Sequence, residues 1–135
     1  VQKWKNLFAE SLGAGAGPII KLIPQLELLL GPQAEITTLP PGEEKQRFNR
    51  LFRQFISVLA RPEYPLVLVL DDLQWIDSDS LQLIRSLILD GRGLSLLLVG
   101  AFRDNELSDD HELFELIADL KACDGIVADI KLNPL

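Results

Sequence analysis

Two adjacent carboxylates, Asp71 and Asp72, follow a run of five apolar residues, Leu66-Val67-Leu68-Val69-Leu70. Such a run, with two valines, reads as a β-strand buried on both faces, the habit of a parallel sheet covered by helices. In open α/β sheets ligands gather at the carboxyl ends of the strands, so the acid pair stands where a ligand would bind. Successive strand residues point to opposite sides, which gives the two acids different tasks. One can hold a Mg²⁺ ion through water, and the other can orient and polarise an attacking water. Phosphoryl transfer needs that division of labour. The plainer reading is an Asp-Asp that leaves the core and opens a turn.

A second apolar run, Leu96-Leu97-Leu98-Val99-Gly100-Ala101-Phe102, ends at Arg103. If the two strands lie side by side, Arg103 emerges at the same sheet edge as Asp71 and Asp72. A guanidinium there can touch a γ-phosphate and report its loss on hydrolysis. The alternative is a solvated arginine paired with Asp104 or Glu106. Other residues point to structure rather than chemistry. Trp75 either packs under the acidic edge, the favoured reading, or stands exposed; Asp77 is expected to cap a helix, His111 to lie at the surface and Cys123 to be inert. The run Gly13-Ala14-Gly15-Ala16-Gly17 is followed by Pro18 and Ile19, so it lacks the G-x-x-x-x-G-K-S/T spacing of a phosphate-binding loop. It reads as a connection between helices.

The elements that must position these residues follow from periodicity. Trp4, Leu7, Phe8 and Leu12 give a helix over about 2–12. A second apolar segment, 19–30, carries Ile19, Ile20, Ile23, Leu26 and Leu30, with Pro24 dividing it and Gly31-Pro32 stopping it. After a proline-rich loop, 43–60 is the clearest helix, with Phe48, Leu51, Phe52, Phe55, Ile56 and Leu59 on one face. The first strand covers 65–70, and Asp77 or Ser78 caps a helix running to about Asp90 on Leu81, Ile84, Leu87 and Ile88. The second strand covers 94–102. A further helix over 110–121 uses Leu113, Phe114, Ile117 and Leu120, and a last short strand lies near 126–132. Strand and helix alternate, as in an α/β domain with parallel strands.

Bulk properties exclude several classes. The 135 residues suit one ordinary domain, and 47% are hydrophobic, enough for a core. A net charge of −7 without a Lys/Arg cluster argues against a non-specific grip on nucleic acid or an anionic membrane. One cysteine and one histidine exclude a disulfide framework and a zinc site, and fit a cytoplasmic location. No apolar run nears the roughly 18 residues of a membrane span. With no methionine anywhere, an opening at Val1-Gln2 and an end at Pro134-Leu135, the sequence reads as a piece of a longer protein.

The segment from Pro65 through Asp71-Asp72-Leu73-Gln74-Trp75-Ile76 to Asp77 resembles the Walker B region of STAND-type signalling ATPases, relatives of the AAA proteins. The segment Gly100-Ala101-Phe102-Arg103-Asp104-Asn105-Glu106-Leu107 resembles their sensor 1 region. More narrowly, the chain is similar to the ATPase domain of bacterial multi-sensor signal-transduction kinases. That likeness runs from Ile23-Pro24-Gln25-Leu26-Glu27 and Gly31-Pro32-Gln33, through Arg47-Phe48-Asn49 and the stretch from Asp79 to Ile84, to the closing Leu132-Asn133-Pro134-Leu135. Those proteins set this domain between a kinase-like domain and GAF plus histidine-kinase modules. The resemblance implies ATP and Mg²⁺ as ligands. Asp71 takes the Mg²⁺ role through water, Asp72 that of the water-polarising acid, and Arg103 that of the γ-phosphate sensor. Glu112 stands where the family often has proline, which implies a local loop effect. The family's phosphate loop and its strand precede the residues seen here, and its lid domain follows them.

The expected fold is therefore a partial three-layer α/β/α sheet of P-loop NTPase type (ASCE/AAA), without the phosphate-loop strand. Residues 1–62 form a helical segment and 63–135 the part with the Walker B, sensor and last strands. The expected function is an ATP-dependent conformational switch in a multidomain sensor kinase, with neighbouring kinase and sensor domains as partners. Such ATPases often assemble into homo-oligomers. These residues alone are expected not to hydrolyse ATP, and the vacant strand position is expected to make them less stable than their apolar content suggests. The rival readings are a nucleotide-free interaction scaffold with a degenerate ATPase fold, and the ATPase module of a transcription regulator.

Overall fold

A computed structural model of the chain describes residues 2–33, 40–90, 93–123 and 127–132. They fall into two compact units, Val1–Leu68 with Gly93–Leu98, and Val69–Arg92 with Val99–Leu135.

The first unit is mainly helical. Helix α1 (Gln2–Leu12) has the predicted bounds and buries Phe8 and Leu12. The glycine run is a helix connection: a single 3₁₀ turn at Gly13–Gly15, then α2 (Gly17–Leu22). Ala16 and Ile19 in this connection are fully buried. Pro24 divides the next segment as expected, opening a 3₁₀ turn (Pro24–Leu26) before the short α3 (Glu27–Leu30). Gly31 ends α3 at φ 75°, a left-handed value that only glycine adopts freely. Helix α4 (Pro41–Leu59) starts two residues before the predicted start at 43 because Pro41 at the first helical position is already fixed at a helical φ. Helices α1 and α2 both pack on α4. Phe8 stacks on Phe55 with centroids 5.4 Å apart, and Trp4 tilts against Tyr64 at 5.7 Å.

Strands β1 (Leu66–Leu70) and β2 (Leu96–Gly100) form a two-stranded sheet. In the first unit the Leu66 amide donates to the Ser95 carbonyl at 2.8 Å; in the second the Ala101 amide donates to the Leu70 carbonyl at 2.8 Å. Numbers rise together along both strands, so the pair is parallel, as the alternation of elements requires. The prediction of strands buried on both faces fails. Along β1 half-buried and exposed residues alternate, with Val67 and Val69 exposed, and on β2 Leu97 and Val99 are exposed too. An apolar run fixes strand propensity, not the presence of a cover on each face.

In the second unit α5 (Ser78–Leu89) and α6 (Glu112–Ala122) pack on each other. Leu73, Leu81, Leu113 and Leu116 form the core, with Leu70, Ile76, Ile84 and Leu107 packed against it. Leu116 is buried where Phe114 had been expected; Phe114 instead meets Phe102 edge-on at 6.2 Å. The last predicted strand is not found. Ile126 lies outside the described residues, and 127–132 are exposed and irregular. There Asp129 pairs with Lys121 and Lys131 with Asp104. Ion pairs to side chains fix no ladder, and neither described strand extends a pairing to this segment.

Asp77 caps α5, accepting from the Ser80 amide at 2.9 Å and the Ser80 hydroxyl at 2.8 Å. These bonds, the backbone one first, hold its carboxyl below its ordinary value. A lowered folded pKa gives stability that is present above the unfolded pKa and is lost as pH falls through the folded one. Asp77→Ala is thus expected to lower the melting midpoint at neutral pH and to shrink its fall under acid. Thermal melts at neutral and acid pH check both.

Candidate functional site

The site is built where the two strands end in the second unit. Leu70 is held in the core and its carbonyl takes the Ala101 amide; three residues on, the Leu73 amide donates to the Ala101 carbonyl at 3.0 Å. Between these two anchors Asp71 and Asp72 are exposed. Asp72 adopts φ 54°, ψ 39°, the one positive φ of a non-glycine among the described residues. It therefore does not continue the strand, and strand alternation does not separate the roles of the two acids, contrary to the sequence reading. Aspartate tolerates this conformation because its short side chain bonds locally. Here the Asp72 amide donates to Asp71 Oδ1 at 2.9 Å, and Asp72 Oδ1 accepts from Gln74 Nε2 at 3.1 Å. Asp72→Gly should leave the fold intact, whereas Asp72→Val should destabilise it by about 1–2 kcal/mol, the left-handed penalty of a side chain without that bond. Denaturant titration of the two variants checks this.

Arg103 lies two residues past Ala101. Its amide donates to Gln74 Oε1 at 3.2 Å, and its guanidinium donates to Glu106 Oε1 at 2.7 Å. Glu106 ends a single 3₁₀ turn, Asp104–Glu106, and its Oε2 accepts from Gln74 Nε2 at 3.3 Å. The guanidinium is held above its ordinary pKa, first by the Glu106 hydrogen bond, then by the charges of Glu106, Asp72 and, more weakly, Asp71. Glu106 is held below its ordinary value, chiefly by its bond from Arg103. So the structure brings Asp71, Asp72 and Arg103 to one sheet edge, and the arginine has the Glu106 partner weighed from sequence. That pair is solvent-exposed, with 64% of the arginine side chain accessible, so little free energy ties Arg103 to Glu106.

Gln74 and Glu106 were not singled out as site residues. Gln74 is 6% exposed, the one buried polar side chain among the described residues. A glutamine in a Leu-Gln-Trp turn carries no signal of this in sequence, because two of its three partners lie 29 and 32 residues away. Trp75, expected to pack, is 77% exposed. The short turn points Leu73 and Gln74 inward, and no inward position remains for the indole. His111 caps α6 through Nδ1, which accepts from the Leu113 amide at 3.2 Å. Glu112 is the first residue of that helix, a position proline also favours, which accounts for the exchange. Its carboxylate accepts from the Ser78 hydroxyl at 2.9 Å. Cys123 is free and exposed.

Gly100 sets the closeness of β2 to the turn: a Cβ there would meet Leu73 Cδ1 at 2.6 Å. Leu73 is buried in the core and has little room to move. Gly100→Ala is expected to cost about 1–3 kcal/mol by overpacking, read by chemical denaturation.

Among the described residues no three His, Cys, Asp or Glu side chains gather as a metal cluster. A Mg²⁺ ion needs none, since it keeps most of its waters and takes one or two carboxylates plus phosphate oxygens. Asp71 fits that donor set: its Oδ1 takes the Asp72 amide, and no described residue bonds Oδ2.

A parallel strand pair with acids ending one strand and an arginine just beyond the other sets charged groups at the strands' carboxyl ends, where open α/β sheets bind ligands. The chain belongs to the AAA ATPase domain family, whose profile matches residues 3–99. It is also 36% identical over 85 residues to hybrid signal transduction histidine kinase G of Dictyostelium discoideum. That alignment covers 63% of this chain and 2% of the kinase, so the chain spans a small part of that relative. No solved structure matches the chain significantly. Among the described residues no helix is long and apolar enough to cross a membrane.

Proposed function

We propose that the chain is the acid-pair and sensor part of an ATP-binding domain that works as a nucleotide-dependent switch inside a larger cytoplasmic signalling kinase. The observation that carries this is the meeting of Asp71, Asp72 and Arg103 at one sheet edge, with Arg103 feeling both carboxylates. Family membership and the likeness to a histidine kinase support it. Asp71 would hold Mg²⁺ through water, and the ion would supply charge neutralisation for the phosphates. Asp72 orients the attacking water and accepts its proton. Arg103 leaves the weakly held Glu106 for the γ-phosphate and returns when that phosphate departs. Motion of the 3₁₀ turn carrying Glu106 then passes the state of the nucleotide to neighbouring kinase and sensor domains.

The complete domain is a three-layer sheet of P-loop type, with residues 1–62 as its helical part and 63–135 as its Walker B and sensor part. The phosphate grip is supplied by a loop outside these residues, which contain no G-x-x-x-x-G-K-S/T sequence. The second reading is a scaffold that binds partners without nucleotide, and upstream sequence without that motif would favour it. Mg-ATP binding to the full-length protein decides between them: saturable binding supports the switch, and none supports the scaffold.

A further inference from the structure

We propose that Gln74 is a positioning residue that couples the acid-pair loop to the arginine loop; for the reaction, this rests on the ATPase reading above. Beyond the backbone bonds of Leu70 and Leu73 to Ala101 and a Trp75 side-chain bond to Glu106, one planar carboxamide links both loops at three points. Its Nε2 donates to Asp72 Oδ1 at 3.1 Å and to Glu106 Oε2 at 3.3 Å, and its Oε1 accepts from the Arg103 amide at 3.2 Å. With the Arg103 to Glu106 bond at 2.7 Å, Gln74, Arg103 and Glu106 close a ring that Asp72 joins from the other strand's end.

The chemistry requires an amide. A carboxylate at this place could accept from Arg103 but would repel Asp72 and Glu106, and a hydrocarbon could do neither. A buried amide is costly unless its donors and acceptor are satisfied, and here each is. Asp71, Asp72 and Arg103 are exposed, and solvent alone would not hold them in register. Gln74 is the buried member, anchored beside Leu73 of the core. When Arg103 exchanges Glu106 for phosphate, the Arg103 amide stays on Gln74, so the guanidinium swings about a fixed backbone point.

The test uses the full-length protein with two substitutions of nearly equal volume. Gln74→Leu removes all three bonds; Gln74→Glu keeps the acceptor for the Arg103 amide and removes the donor. Hydrogen exchange by mass spectrometry is read over residues 101–106, and steady-state turnover is read with Mg-ATP. The Leu variant should exchange about five- to tenfold faster at this segment, the factor of one net hydrogen bond. The Glu variant should exchange more slowly than the Leu variant, because the Arg103 amide keeps its acceptor, and faster than wild type, because the new carboxylate repels Asp72 and Glu106. Both should lose kcat by about tenfold with KM changed less than about twofold. A core-filling role predicts instead that the Leu variant matches wild type in both readouts, and that result overturns the proposal. Faster exchange with unchanged kcat overturns it too. If the wild type turns over no ATP, the ATPase reading fails by itself, and the exchange contrast between the Leu and Glu variants still decides whether Gln74 ties the loops.

Discussion

Leu113→Ala is expected to destabilise the second unit by about 2–5 kcal/mol, the cost of a cavity in a close-packed leucine core. Leu113 is 3% exposed and lies in one cluster with Leu73, Leu81 and Leu116. The consequence reaches the site, because the same cluster holds Leu70 and Leu73, the residues on either side of the acid pair. Loosening them should free Asp71 and Asp72 without touching either. Chemical denaturation gives the magnitude, and hydrogen exchange over 70–76 gives its spread to the site. A loss below about 1 kcal/mol would mean that the cavity collapses and that the core does not brace the acids.

Arg103→Ala in the full-length protein should lower Mg-ATP turnover by about 10²–10³, the usual effect of removing one preorganised charge-stabilising group. Arg103→Lys should restore only part of it, since an ammonium keeps the charge but not the planar fork. Stability should change little, because the Arg103–Glu106 pair is exposed. Steady-state kinetics and a thermal melt separate the two effects. Turnover within a few-fold of wild type would remove Arg103 from the chemistry and leave it as a surface partner of Glu106.

Much of this was readable from local pattern. The α1 bounds, the division at Pro24, the stop at Gly31, the Asp77 cap and the paired apolar strands each depend on residues within a few positions of one another. The placement of the acids and Arg103 at one edge followed from strand pairing alone. What stayed hidden depends on contacts distant in sequence or on cover. Val67 and Val69 look like core residues in a five-residue apolar run, yet exposure depends on what lies above them. The left-handed turn at Asp72 is set by Leu73 turning into the core, which the Asp-Asp pair does not announce. Trp75 is exposed and its neighbour Gln74 buried for the same reason: a three-residue turn, Leu73–Trp75, decides which side chains face inward. The choice of Leu116 over Phe114 on α6 lay within one helical stripe that periodicity could not resolve.

The most direct test of the account is calorimetric titration of Mg-ATP into the full-length protein, wild type and Asp71→Ala. The account predicts saturable, Mg²⁺-dependent binding by the wild type and a loss of at least about tenfold in affinity for the variant, with ATP in the absence of Mg²⁺ insensitive to the change. Absence of binding by the wild type, or binding equally tight in the variant, would contradict it.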